Sequence, residues 1–274
     1  MLNLSIIGAG KLGRTFARMW HQQGVFHVQQ ILNRSLASAT SAIEMIGAGS
    51  AISDLSKLEN AQVLMLAVPD DEIAPICLQL NAAKKIALGT IVFHCSGAKA
   101  STELHCLADQ GALIASVHPV RSFAEPSVVA DSFTGTICSV EGDERALATL
   151  VPALEAIAAQ VVRINAEHKL LYHAGSVFAS NYLVSLMDIA MRSYQAAGIS
   201  PEIAQAMAEP LARHTLETIF TRGCVQALTG PIARGDRQTV ETQMEHVKQW
   251  NADAGALYQA FIAPTQGLAD KKSI

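Results

Sequence analysis

The chain reads as an α/β protein, an N-terminal doubly wound sheet followed by a smaller all-α domain. Two observations predict this. Over the first 164 residues short β-branched apolar runs alternate with helical stretches, the pattern of a sheet covered on both faces. After Ile164 such runs stop, and from Ala166 to Ala197 there is no proline and one glycine. The expected domains are therefore 1–164 and 165–274.

The candidate strands are Leu4–Ile7, Val28–Leu32, Val63–Ala67, Ile91–His94, Leu113–Ser116, Thr136–Val140 and Val161–Ile164. Pro69 cannot donate to a sheet ladder, so the third run ends before it. Asp70 and Asp71 then suit the capping and positive dipole of a helix start. A helix over 166–197 would span roughly 48 Å, and Gly198 stands where it stops. Ser200-Pro201-Glu202 supplies an N-cap, a first-turn proline and a first-turn acid for the next helix, which Pro210 should kink or split. Asp236 is expected to cap a helix to about Trp250. A last helix is expected over Ala252–Ile262, before a polar tail.

Bulk properties exclude several classes. With 50% hydrophobic and 16% charged residues this is a folding sequence, and a net charge of −4 disfavours general binding of nucleic acid or membrane surfaces. Five cysteines, an odd number without a C-x-x-C pair, fit reduced thiols in a cytoplasmic protein better than a disulfide framework or zinc site. The histidines form no recognisable ligand pattern, so no metal is expected. The N-terminus reads as a first strand rather than a leader peptide, and no apolar run reaches the ~18 residues of a membrane helix.

Chemistry enters at Gly8-Ala9-Gly10-Lys11-Leu12-Gly13. This G-x-G-x-x-G string follows the apolar run Leu4–Ile7 and opens a helix bearing Phe16, Ala17, Met19 and Trp20, the context of a Rossmann-type dinucleotide loop. Gly8 permits the tight turn, Gly10 lets the backbone approach a pyrophosphate, and Gly13 lets helix and strand pack closely. The helix start supplies N–H groups and positive dipole for the anion. At the end of the second strand, NAD-binding proteins usually carry an acid for the ribose hydroxyls. Here no acidic residue precedes Glu44, and Asn33-Arg34-Ser35 stands there instead. A guanidinium beside a hydroxyl suits a 2′-phosphate, so NADP(H) is the expected cofactor.

Ala67-Val68-Pro69, Ser96-Gly97 and His118-Pro119 should lie at the same carboxyl edge of the sheet, where ligands of such folds bind. Ser96 and Gly97 could then face the nicotinamide. On the long helix Lys169, His173, Ser176 and Ser180 are spaced 4, 3 and 4 and fall on one stripe, expected to line a cleft, with Asn181 at its side. The segment Thr229-Gly230-Pro231-Ile232-Ala233-Arg234-Gly235-Asp236 reads either as a structural loop capped by Asp236 or as a substrate loop with Arg234 on a carboxylate.

With Tyr172-His173-Ala174-Gly175, Ala179-Ser180-Asn181-Tyr182, the Thr229–Asp236 loop and His118-Pro119 in hand, the chain resembles Rossmann-like NADP oxidoreductases with a C-terminal helical domain of formerly unassigned function. Some members look like alternative ketopantoate reductases. More distantly it is similar to pyrroline-5-carboxylate reductase and the 3-hydroxyacid dehydrogenases, whose helical domains commonly dimerise. The dehydrogenases carry a helix Lys with Asn four residues later, where this chain has Lys169 and His173. The resemblance implies NADPH-dependent reduction of a small carbonyl substrate, such as a ketopantoate-like 2-oxo acid, by a homodimer. Lys169, His173 or His118 would supply the proton, with Asn181 or Ser96 on the oxygen. Arg234, Ser176, Ser180 and Thr229 would line the substrate. Reduction of a cyclic imine, and a non-catalytic NADPH-binding sensor, are the competing readings.

Overall fold

The computed structural model describes residues 1–272. The chain falls into two compact units, Met1–Val177 and Phe178–Ile274. This break lies inside the long helical stretch, because the first turns of that helix pack with the sheet unit.

The first unit runs β1 (Leu2–Ile7), α1 (Lys11–Gln22), β2 (Phe26–Leu32), α2 (Leu36–Ile46), β3 (Ser50–Ile52), β4 (Val63–Leu66), α3 (Asp70–Ala82) and β5 (Ile91–His94). It continues with α4 (His105–Ala108), β6 (Leu113–Pro119), α5 (Pro126–Asp131), β7 (Ile137–Gly142), α6 (Glu144–Glu155), β8 (Gln160–Arg163) and α7 (Lys169–Ser176). The eight strands form one sheet in the order β3-β2-β1-β4-β5-β6-β7-β8. Every pairing is parallel except β6 with β7.

Side chains two apart share a face, and the sheet follows this except in β2, where a register shift puts Val28 and Ile31, three apart, into the same core. Leu4, Ile6, Val63, Met65, Ile91, Phe93, Ala115 and Val117 join one core with α1, α2 and α6, while Ile7, Leu64, Leu66 and Val92 join the other with α3 and α4. In the first core Trp20 is fully buried, stacks on Phe16 at 4.8 Å, and donates its indole N–H to Ala153 O at 2.8 Å. The three-residue strand β3 is absent from the sequence reading. It is too short for a period-2 signal and exists by pairing with Gln30–Leu32 of β2.

The expected uninterrupted helix over 166–197 is instead four pieces. A 3₁₀ turn covers Ala166–His168, α7 follows, and a five-residue π turn spans Val177–Asn181 before α8 (Tyr182–Ala196). A π turn takes up more residues per turn, so the 100° stripe counted from Lys169 does not carry through to Ser180.

The second unit holds α8, α9 (Pro201–Arg222), α10 (Cys224–Ala227), α11 (Pro231–Arg234), α12 (Arg237–Trp250) and α13 (Ala252–Lys272). Ser200 caps α9 by accepting from Ile203 N–H, with Pro201 at the first helical position, as the sequence implies. Two helix expectations change. Helix α9 passes Pro210 as one element, and α13 runs beyond Ile262 through Pro264 to Lys272. Asp236 sits at the N-cap of α12 but makes no capping hydrogen bond, because its carboxylate is engaged by Arg234. Among the described residues of this unit the buried apolar side chains are Ala204, Ala208, Val240, Ala254 and Ala269.

Candidate functional site

The glycine loop joins β1 to α1 at the carboxyl edge of the sheet. Gly8 has φ +85°, and a Cβ there would lie 2.4 Å from Val68 Cγ1 and 2.8 Å from Ala67 O. Gly13 is equally confined, 3.0 Å from Ala67 Cβ and Gly8 O, whereas a Cβ on Gly10 would meet nothing nearer than 4.0 Å. Gly8 and Gly13 thus serve packing, and Gly10 leaves an open approach. Helix α1 has no side-chain cap and no acid in its first turn, so its leading N–H groups are available to an anion. Ala67, Val68 and Pro69 follow β4 directly and wall this loop.

Two side chains hold the loop in shape. Asn33 Oδ1 accepts from Ala9 N–H at 2.7 Å, and its amide donates to Ser38 Oγ at 3.0 Å. Arg14 donates from Nε and Nη2 to Ala9 O, both at 3.3 Å. Ser35 caps α2 by accepting from Ser38 N–H at 3.2 Å. Asn33 and Ser35 are therefore occupied by structure. Arg34 between them is exposed and has no protein partner among the described residues. The residues present fit a dinucleotide with a 2′-phosphate.

Farther along the same edge, β5 ends at His94 and the chain turns through Ser96 and Gly97. Ser96 Oγ accepts from the N–H groups of Ala98 (3.1 Å) and Lys99 (2.9 Å), fixing the turn and leaving its hydroxyl hydrogen to donate. Two imidazoles close over Gly97. A Cβ there would lie 2.3 Å from His173 Nδ1 and 2.7 Å from His118 Nε2. The rings pack edge to face, centroids 5.5 Å apart. His118 comes from β6 and its Nδ1 is 2.9 Å from Tyr172 Oη on α7. His173 Nδ1 is buried and, among the described residues, has no hydrogen-bond partner. An unpaired polar atom in such a place is costly unless a ligand or water completes it. Burial, reinforced by the neighbouring His173 and Lys169, lowers the His118 pKa to about 4, so its ring is neutral near pH 7. Burial also raises the pKa of Tyr172, keeping the phenol protonated.

Lys169 does not line an open cleft. It is 1% exposed, donates to Ser116 Oγ, and pairs with Glu141 Oε1 at 3.2 Å. Glu141 also accepts from Ser101, at 2.8 Å from N–H and 2.6 Å from the hydroxyl. Ser116 Oγ lies 3.4 Å from both His94 Nδ1 and Ser96 O. His94 Nδ1 accepts from Ser96 N–H and its Nε2 meets Ala100 O at 3.0 Å, which fixes the Nε2–H tautomer. A sealed polar chain therefore supports the Ser96-Gly97 turn from beneath. The sequence reading named Lys169 and Ser96, gave Tyr172 only within a family string without a role, and missed His94, Ser116, Ser101, Glu141 and Arg14. A carboxylate in an otherwise apolar strand was the one available signal, for Glu141.

Ser176, on the last turn of α7, is half-buried. In the second unit, Ser180 and Asn181 lie in the π turn and are exposed, and Thr229 precedes α11. Arg234 reaches Asp236 Oδ2 with Nε and Nη2, both at 2.9 Å. Among the described residues no group of three or more His, Cys, Asp or Glu side chains could hold a metal ion, and no helix is long and apolar enough to cross a membrane.

Residues 1–119 match the family model of the Rossmann-like domain, and residues 136–264 match the Domain of unknown function (DUF2520). No curated protein sequence matches the chain. Among solved structures, protein TM1727 of Thermotoga maritima is similar at 26% identity and TM-score 0.76, over 99% of this chain and 100% of that one. BF3122 of Bacteroides fragilis, a candidate NADP oxidoreductase, has 17% identity and TM-score 0.75, over 97% and 98%. A reductive aminase of Aspergillus terreus, in complex with NADPH and ethyl levulinate, has 16% identity and TM-score 0.62, over 99% and 93%. The chain thus joins a region that matches the Rossmann-like domain to one that matches the DUF2520 domain.

Proposed function

We propose that this protein is a cytoplasmic NADP(H)-dependent oxidoreductase that reduces a small carbonyl substrate, such as a ketopantoate-like 2-oxo acid. The observation that carries the reading is the pair of imidazoles over Gly97, at the same sheet edge as the glycine loop. The fold is shared with proteins described as NADP oxidoreductases and with an NADPH-bound reductive aminase. The free N–H groups of α1 hold the pyrophosphate, and Arg34 pairs with the 2′-phosphate. When bound, the cofactor supplies the hydride.

The protein supplies orientation and the proton. With Tyr172 O–H donating to Nδ1, His118 carries its hydrogen on Nε2, facing Gly97. A neutral imidazole so placed donates to a carbonyl oxygen. As the alkoxide forms, its Nε2 proton passes to that oxygen while Nδ1 takes the Tyr172 proton, which solvent replaces, so the ring ends neutral. His173 Nδ1 gives the same substrate group a second partner. Lys169 is a positioning residue, acting through Ser116 and the turn at Ser96. In the second unit Asp236 orients the Arg234 guanidinium, whose Nη1 is the proposed partner of a substrate carboxylate. Thr229, Ser180 and Asn181 of that unit, and Ser176 of the first, are proposed as further substrate-binding residues.

The protein acts as a homodimer on this reading. In the second unit Phe178, Val184, Ile203, Leu211 and Phe220 are exposed, and the unit lacks a core of large side chains. A helical unit of this size cannot offset its ordering entropy with buried alanines, so a second copy covers that surface.

The deciding experiment follows NADPH oxidation against 2-oxo acids, aldehydes and cyclic imines, with titrations of NADPH and NADH. Turnover of a 2-oxo acid, reduced ~10²–10⁴-fold in His118→Ala, supports the assignment. Turnover of imines alone moves it to imine reduction. Tight NADPH binding without turnover of any class makes the protein a sensor, and tighter NADH binding overturns the cofactor.

A further inference from the structure

The two thiols of Cys77 and Cys106 have no part in the chemistry above. Cys77 lies on α3 and Cys106 on α4, two helices on the same face of the sheet, and their sulfurs are 2.7 Å apart. The two sulfurs are thus in direct contact, the first condition for a disulfide. The two are not equally accessible. Cys77 is buried at 1% exposure, whereas Cys106 is half-buried, and a 230 Å³ cavity bounded by Thr102, Glu103 and His105 opens onto both.

We propose that Cys77 and Cys106 form a redox-active dithiol, a reversible modification site that a peroxide of hydrogen-peroxide size oxidises to an intrachain disulfide. Cys106 meets the oxidant first through the cavity. Its sulfur attacks one peroxide oxygen, the O–O bond breaks, an S–O bond forms, and water leaves with the thiol proton. The sulfur becomes a sulfenic acid, oxidised by two electrons. The Cys77 sulfur then attacks the sulfenic sulfur, the S–S bond forms, and the S–O bond breaks. The hydroxyl departs as water with the Cys77 proton. Two thiols and one peroxide give one disulfide and two waters. Burial pushes the Cys77 thiol up to about 12, so it stays protonated and does not meet the oxidant first; its contact with Cys106, not its acidity, is what lets it resolve the sulfenic acid. Burial likewise raises Cys95 and Cys138, which are close enough to feel each other's charge. Among the described residues no sulfur–sulfur contact like that of Cys77 with Cys106 joins them, and they are expected to stay reduced. The bond ties α3 to the segment bearing Ser101, the residue that donates twice to Glu141.

The test uses the full chain carrying Cys224→Ser, since Cys224 is exposed and reacts on its own account. The protein is treated with an equivalent of hydrogen peroxide, denatured with N-ethylmaleimide, and weighed intact and after proteolysis. The expected product is about 2 Da lighter, binds two maleimides in place of four, yields a Cys77–Cys106 cross-linked peptide, and reverts with dithiothreitol. In Cys77→Ala the same treatment leaves a sulfenic acid on Cys106 that dimedone traps. All four thiols remaining alkylatable would overturn the proposal. So would Cys106 advancing to sulfinic acid while Cys77 stays free. Both readouts on the otherwise native chain stand even if a cysteine variant does not fold, and neither depends on the assigned enzymatic activity.

Discussion

Lys169 Nζ lies 3.2 Å from Glu141 Oε1, with side chains only 2% and 4% exposed. Burial lowers the lysine's pKa, and the carboxylate opposes that shift. The pair survives because Ser101 and Ser116 satisfy the remaining donors and acceptors. Their strands and helix are far apart in sequence and are brought together by the antiparallel return of β7 beside β6, which aligns Glu141 with Ser116.

Removing one partner should therefore cost more than removing both. Lys169→Met is expected to destabilise the protein by ~3–5 kcal/mol in urea unfolding, by leaving Glu141 charged and buried. Lys169→Met with Glu141→Gln should recover much of that loss. A double variant whose loss equals the sum of the Lys169→Met and Glu141→Gln losses would mean the ions act independently.

Acid should unfold the protein through two histidines. His94 and His118 both have pKa values lowered to about 4, chiefly by burial, against an ordinary value of 6.5. Between those values the unfolded chain binds protons that the folded chain does not. Stability is thus intact above about pH 6.5 and falls as pH drops toward 4, by up to about 1.4 kcal/mol per pH unit per histidine. His94→Gln should flatten the slope of stability against pH in that window.

Arg34→Asp should invert the nucleotide preference. The guanidinium is exposed and, among the described residues, makes no hydrogen bond or ion pair, so its loss should leave the melting temperature unchanged. NADPH binding should weaken ~10–100-fold, as befits one or two charge-assisted hydrogen bonds, with NADH binding unchanged or improved. Equal weakening of both nucleotides would place Arg34 elsewhere in the recognition.

Leu211→Glu should dissociate the proposed dimer. Leu211 is 62% exposed on α9, in register with Ile203 and Met207. Light scattering at micromolar concentration should show the wild type as a dimer and the variant as a monomer with a lower melting temperature. A monomeric wild type would refute the assembly.

The sheet was largely legible because buried parallel strands write themselves as apolar runs bounded by Gly and Pro, as at Leu4–Ile7 before Gly8 and Ile91–His94 before Gly97. Its glycine loop was legible for the same reason. The support chain was not, since Glu141, Ser116 and Lys169 meet only through strand pairing, which local pattern does not encode. Tyr172 escaped because its role lies in reaching His118, far away in sequence. The π turn hid behind a composition that suits a continuous α-helix.

Gly97 has a consequence for how this protein can change over evolution. The imidazoles of His118 and His173 occupy the volume that any larger residue at 97 would need. The three positions are thus one inherited character spread over three places. Among related sequences, a side chain at 97 should appear only where at least one histidine has gone, and chains with that combination should lack the proposed proton donor while keeping the nucleotide loop.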